Sequence, residues 1–384
     1  MRLPRWESIG LPGLRRDTAD GSFIPVIDGL RFIAITAVVL YHLQAYVVVK
    51  TGRSSGGDWL ALLMGQGYIG VQLFFAISGF IIARPFLNGT APGLRRYFVR
   101  RLTRLEPPYL INLLLVYVLL VTVLGADPAA LFPHLLASAL YLHNILFGGM
   151  SQINFLAWSL EVEFQFYMLA PALLAGLIAL GGWGRRLALL LLVLAGGWAY
   201  RSDPLAGLGV GATLVSFFGF FAAGILAAEI YVSRWRERPP LSWGWDVVAL
   251  VGWVGLLGAL LVGGEARSLL SIGILLALLG SLGGRWSARV LGWAPVYLIG
   301  GMCYTLYLYH FLIISAVGRF ILPWLGATRP LWVDLLMAGF IIIPVVLAAG
   351  TVLFLVTEKP FMRWRREGRR SGPNPVPALS RDQV

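Results

Sequence analysis

Arg31 and His42 close the two ends of RFIAITAVVLYH, a stretch that is otherwise almost entirely apolar. On a helix, eleven residues turn about 1100°, or about 20° net, and rise about 16 Å. The guanidinium and the imidazole therefore share one face about half a bilayer apart, with Asp28 and Tyr46 close to the same face. A titratable side chain in hydrocarbon costs several kcal/mol and marks function by default, as an acid–base catalyst or as part of a proton relay. Three more such groups occur. Glu161 and Glu163 lie in FLAWSLEVEFQFYMLAP, and His310 lies in GMCYTLYLYHFLI. Residues two apart on a helix point about 160° away from each other, so the two glutamates cannot face one cavity. Ser159, Glu163 and Tyr167 share a face at four-residue spacing, and Tyr307 neighbours His310 at i,i+3.

A second constellation is basic. In RRYFVRRLTRLEPPYLI, Arg96, Arg100 and Arg104 recur every four residues with Arg101 beside them, before Pro107 and Pro108 open a new apolar run. Such a stripe serves either as a positive-inside anchor or, because arginine contacts phosphate bidentately, as a site for an anionic, nucleotide-like ligand. Arg31 and Arg84 add to it. Ser78-Gly79 sits within a further apolar run, where glycine lets helices approach or makes room for a ligand chain. The sequence has no HExxH, no P-loop, no GxSxG elbow and no Cys/His cluster, so no metal site is expected. The single Cys303 excludes an internal disulfide.

The elements that must position these groups are membrane helices. The chain of 384 residues is 58% hydrophobic and only 13% charged, about half the charge content of a soluble protein. Ten apolar segments are long enough, or nearly so, to cross a bilayer: 29–49, 67–87, 108–126, 155–180, 186–200, 212–231, 245–263, 268–283, 295–319 and 334–356. The stretch 130–147 is apolar too, but its proline, histidines and asparagine point to an interfacial or re-entrant piece. If the N-terminus is cytoplasmic, 23 of the 31 Lys and Arg residues fall on the inner side and six on the outer. Both termini are then cytoplasmic, and the net charge of +13 reports topology, not nucleic-acid binding. His42, Glu163 and His310 reach similar depths, as the lining of a cavity would. The expected fold is an all-α polytopic bundle. A basic N-terminal tail (1–26) without a leader's h-region precedes the transmembrane domain (27–360), and a basic, then Pro-rich, disordered tail (361–384) follows.

These elements together resemble the acyltransferase-3 family of integral membrane O-acyltransferases, over roughly residues 25–360. The family's Arg-x10-His falls on Arg31 and His42, and its Ser-Gly-Phe on Ser78, Gly79 and Phe80. Its Arg-Arg-x-x-Arg-Leu-x-Pro falls on Arg100, Arg101, Arg104, Leu105 and Pro107. WSLEVEFQFY carries the family glutamate onto Glu163, with Glu161 where the pattern is usually small and polar. Tyr304, Tyr307, Leu308 and His310 match Tyr-x-x-Tyr-Leu-x-His, and EKP at 358–360 resembles the closing motif. No hydrolase-like domain follows the tenth span, so a stand-alone membrane domain is expected.

The resemblance implies transfer of an acyl group, acetyl by default, from cytoplasmic acyl-CoA to a hydroxyl of a carbohydrate acceptor in the cell envelope. Acyl-CoA is then a co-substrate and no cofactor is bound. The chain would sit as a multi-pass protein in a bacterial cytoplasmic membrane. Arg31, Ser78, Arg100, Arg101 and Arg104 are expected to hold the donor. His42 is expected to be the general base, with Glu163 orienting its imidazole. Tyr304, Tyr307, His310 and Glu161 are expected to line the acceptor cavity. Two other readings stay open: acylation of an intracellular small molecule such as a macrolide, and a proton-coupled transporter.

Overall fold

The computed structural model describes residues 23–205, 207, 212–326 and 329–362. Most of both predicted tails therefore lies outside the described residues. Every regular element among the described residues is helical, in keeping with the all-α expectation. Among the described residues, nine helical segments are long and apolar enough to cross a membrane. The fifth predicted span folds as a 22-residue helix, Gly181–Ser202, but is not among those nine. Arg185, Arg186 and Arg201 at its ends dilute its apolar stretch.

The site is built by a subset of these helices. Helix α1 is Pro25–Thr51; α2 is Trp59–Gly65 and α3 is Ile69–Leu87. Helix α4, Leu94–Thr122, differs from expectation, because it runs unbroken through Pro107 and Pro108. The arginine stripe and the third span are thus one element, with Arg96 exposed and Arg100, Arg101 and Arg104 half-buried. Helices α5 (Pro128–Ala139) and α6 (His143–Phe147) are each too short to span and make up the piece, expected to be interfacial or re-entrant, between α4 and α7 (Trp158–Ala179). After α8 (Gly181–Ser202), α9 (Leu214–Ser233) packs on α3. Helices α10 (Trp243–Val262) and α11 (Leu270–Gly283) pair with each other. Helices α12 (Arg285–Leu291) and α13 (Ala294–Gly301) lead to α14 (Cys303–Ile321), which carries the last histidine. Helix α15 (Leu331–Leu353) ends in a π-helical turn, Phe354–Glu358, that carries the EKP glutamate.

Bundles in lipid are held by close backbone approach more than by apolar burial. Gly79 shows this on α3. A Cβ there would stand 2.3 Å from the Phe221 carbonyl oxygen of α9, and one at Gly224 would stand 1.8 Å from the carbonyl oxygen of Ala76. Gly79 is therefore a packing residue, and the neighbouring Ser78 takes the other direction, into the site. Gly79→Val should part α3 from α9, with a loss of about 1–3 kcal/mol typical of overpacking. A lower thermal midpoint of the detergent-solubilised variant checks this, and an unchanged midpoint would contradict it.

Candidate active site

Arg31, on α1, makes a buried ion pair with Asp28 one turn earlier, Nη1 to Oδ1 at 2.6 Å, yet still lines a cavity between α1, α3, α4, α7 and α14. Arg101 and Arg104 of α4 line the same cavity, as do Ser78, Ser159, Glu163, Tyr167, Cys303, Tyr304 and Tyr307. Arg100 is not among the lining residues; the helical turn sends it to the flank of the pair Arg101/Arg104. The cavity volume is about 80 Å³, the space of two or three waters at about 30 Å³ each.

Polar order in the cavity is centred on Glu163. Its carboxylate accepts from the Ser78 hydroxyl and from the Tyr167 hydroxyl, the latter at 2.5 Å. The Arg101 guanidinium lies over the Tyr167 ring at 5.7 Å and the Tyr97 ring at 5.8 Å. Arg104 has its Nε buried without a hydrogen-bond partner. Glu358, from the π-helical turn, accepts from Thr305 Oγ1 at 2.7 Å and lies within electrostatic reach of Arg31 and Arg104. The Tyr304 hydroxyl donates to the Leu105 carbonyl at 2.8 Å and ties α14 to α4. Arg84 is bound by Glu237, which that hydrogen bond holds below the usual carboxylate range.

His42 lies beyond the cavity wall and meets a different partner from the one expected. Its neighbour is His310, with Nε2 3.0 Å from His42 Nδ1. Glu163, expected to orient the imidazole, bonds Ser78 and Tyr167 instead. The tautomers follow from the carbonyls. His310 Nδ1 faces the carbonyl oxygens of Tyr307 at 2.8 Å and Leu306 at 3.1 Å, which only accept, so Nδ1 carries the proton. His310 Nε2 then accepts from His42 Nδ1–H, which is also 3.0 Å from the Val38 carbonyl. The proton-free nitrogen of His42 is therefore Nε2. The rings of Tyr41, Phe155 and Phe311 enclose this imidazole at 4.9–5.8 Å. Tyr307 stands between the cavity and the histidines: it lines the cavity, and its ring is 5.9 Å from that of His310. Its hydroxyl is fixed by Ser159 Oγ at 2.7 Å and the Leu156 carbonyl at 3.1 Å.

Glu161 departs most from its expected place. It is fully buried but outside the cavity, and accepts the backbone N–H of Asn144 at 2.7 Å, fixing the start of α6. The 160° separation from Glu163 turns it toward α6. Sequence reasoning missed three features. Cys303 lines the cavity beside Arg31, Glu358 approaches its inner end, and Phe155 covers His42. Only Glu358 had a signal, its place in EKP. Among the described residues no cluster of three metal-ligating side chains forms.

The buried pair at the inner end allows a direct check. Removing one partner of a buried ion pair costs about 3–5 kcal/mol, while an apolar pair of similar volume is often tolerated. Asp28→Ala should therefore lower the thermal midpoint sharply, and Asp28→Ala combined with Arg31→Met should recover much of it. Equal loss in both would show that the pair itself is not the determinant.

Known proteins share this sequence pattern. The chain matches the model of a family described as an acyltransferase domain over residues 24–354. It is 30% identical over 167 residues to the peptidoglycan O-acetyltransferase OatA of Listeria monocytogenes, which covers 40% of this chain and 24% of that protein. It is 26% identical over 254 residues to nodulation protein 10 of Rhizobium leguminosarum, which covers 59% of this chain and 66% of that one. The chain thus spans about a quarter of the first relative and about two thirds of the second. No solved structure matches it.

Proposed function

The chain belongs to the acyltransferase family whose model it matches, and from that premise we propose that it is a multi-pass membrane O-acyltransferase. It moves an acetyl group from acyl-CoA to a hydroxyl of an envelope glycan, in a bacterial cytoplasmic membrane. The observation that carries this reading is the His42–His310 pair set just beyond an arginine-lined cavity. The buried, unpartnered Nε of Arg104, with Arg101 and Arg31 beside it, suits the phosphates of coenzyme A. The name of the Listeria relative supports a glycan acceptor.

In this reading His42 Nε2 takes the proton of the acceptor hydroxyl as its oxygen attacks the thioester carbonyl. His310 accepts His42 Nδ1–H throughout, holding the ring in the tautomer that leaves Nε2 basic. The tetrahedral adduct collapses with C–S cleavage, and the imidazolium returns its proton to the departing thiolate. Glu163 fixes Ser78 and Tyr167 along the donor's path, and Tyr307 lies where the thioester must pass to reach His42. The acceptor and the donor thus enter from opposite ends.

The test is loss of the acetyl-CoA thioester by purified protein, with and without an envelope-glycan extract. Turnover that needs both the extract and His42 supports the proposal. Absence of both turnover and acetyl-CoA binding in folded protein would overturn it.

A further inference from the structure

All four histidines of the chain stand in two pairs, and the second pair has no part in the chemistry above. His134, on α5, places its Nδ1 2.8 Å from Nε2 of His143, at the start of α6. His143 Nδ1 lies 3.1 Å from the carbonyl oxygen of Gly149, so it carries the proton and donates. His143 Nε2 then accepts from His134 Nδ1–H, and His134 Nε2 is left without a proton or a partner among the described residues. This repeats the logic of the first pair: a backbone carbonyl anchors one imidazole, which orients the other.

Where the pair sits narrows what it could take. It lies on α5 and α6, and α5 runs back along α4, where the Tyr117 hydroxyl donates to the Pro128 carbonyl and the Tyr109 hydroxyl to the Ser138 carbonyl. Phe155, which covers His42, lies in the turn that joins this segment to α7. The buried carboxylate of Glu161 holds the backbone of Asn144, immediately after His143, so the anchor ring is built onto the bundle. Phe147 packs on both imidazoles, with ring centroids 4.3 Å from His134 and 4.7 Å from His143, and is 45% exposed. Residues 128–157 include no charged side chain, so nothing there would hold an anion. Burial pulls the His143 imidazole below its ordinary range. A neutral nitrogen acceptor beside an aromatic face fits an uncharged, hydroxyl-bearing ring.

We propose that His134 and Phe147 form a subsite for a sugar unit of the acceptor, in which His134 Nε2 accepts a sugar hydroxyl and the Phe147 ring packs against the sugar face. This rests on the acyltransferase reading for the identity of the acceptor, but not for the binding itself. The subsite is spatially separate from the cavity, so it would hold a unit of the glycan other than the one that reacts.

The experiment titrates fluorescently labelled oligosaccharides, released from the envelope-glycan extract, into detergent-solubilised full-length protein without donor. Acetyl transfer to the same material is measured in parallel. His134→Ala and Phe147→Ala should each weaken glycan binding about fivefold to tenfold, as loss of a contact worth about 1 kcal/mol requires. They should raise the acceptor KM to match, with kcat and donor KM unchanged. Phe147→Trp should restore binding, and Leu136→Ala, an exposed apolar change on the same helix, should leave it unaltered. Binding that weakens in the variants while no transfer occurs would support the subsite and count against the transferase reading. Transfer that proceeds with unchanged acceptor KM in both variants would overturn the subsite alone. Glycan that fails to bind the wild-type protein would overturn it as well.

Discussion

In His42→Ala, acyl transfer is expected to fall by about a thousandfold, the middle of the range for a positioned general base, while the donor KM stays within about twofold. The proposed anchors of the donor are the arginines of α1 and α4, and His42 lies outside the cavity they line. The loss should therefore appear in kcat. In the proposed mechanism His310 acts only through His42, and a test can separate that role from a merely structural one. His310→Phe removes the acceptor for His42 Nδ1–H and frees the ring to adopt the unproductive tautomer, so kcat should drop by about a hundredfold or more. His310→Gln offers an amide oxygen near the same position and should recover part of that loss. If phenylalanine and glutamine behaved alike, His310 would be a packing residue. If His42→Ala kept full activity, the base assignment would be wrong.

The second large effect lies at the other end of the site. Arg104→Ala should raise the donor KM by about tenfold to a hundredfold, since a hydrogen bond to a charged group is worth about 1.5–3 kcal/mol. Its buried Nε has no partner in the protein, so the side chain has unused donor capacity for phosphate. Lysine should restore only part of the affinity, because a point charge lacks the planar fork. Arg101→Ala should also affect kcat. Its guanidinium covers Tyr167, which in turn donates to Glu163, so its removal loosens the donor path. Titration of acetyl-CoA into each variant and steady-state kinetics at varied donor concentration measure both effects. An unchanged donor KM in Arg104→Ala would exclude the arginines as the phosphate site.

Much of this site was legible in the chain. Arg31, Ser78, Arg101, Arg104, Glu163, Tyr304 and Tyr307 all line the cavity, and the face shared by Ser159, Glu163 and Tyr167 is real. These were readable because helical periodicity fixes which residues share a face, and an apolar background makes each polar residue conspicuous. Gly79 could be read two ways, and only the distance to Phe221 decided for packing. Pro107 and Pro108 suggested a helix start, yet α4 continues through them, because local propensity yields to the packing of a long helix.

The sequence by itself determined an all-helical membrane bundle, the inner arginines, and the family. Each depends on composition or on neighbours three and four residues apart. Which histidine meets which was decided only by the tertiary structure. Matched depth put His42, Glu163 and His310 at one level, but depth says nothing about rotation around each helix axis. That rotation is set by close contacts such as those of Gly70 with the Ala34 carbonyl and of Gly318 with the Tyr46 ring, between residues far apart in the chain. It placed His310 against His42, turned Glu163 toward Ser78, and sent Glu161 to α6.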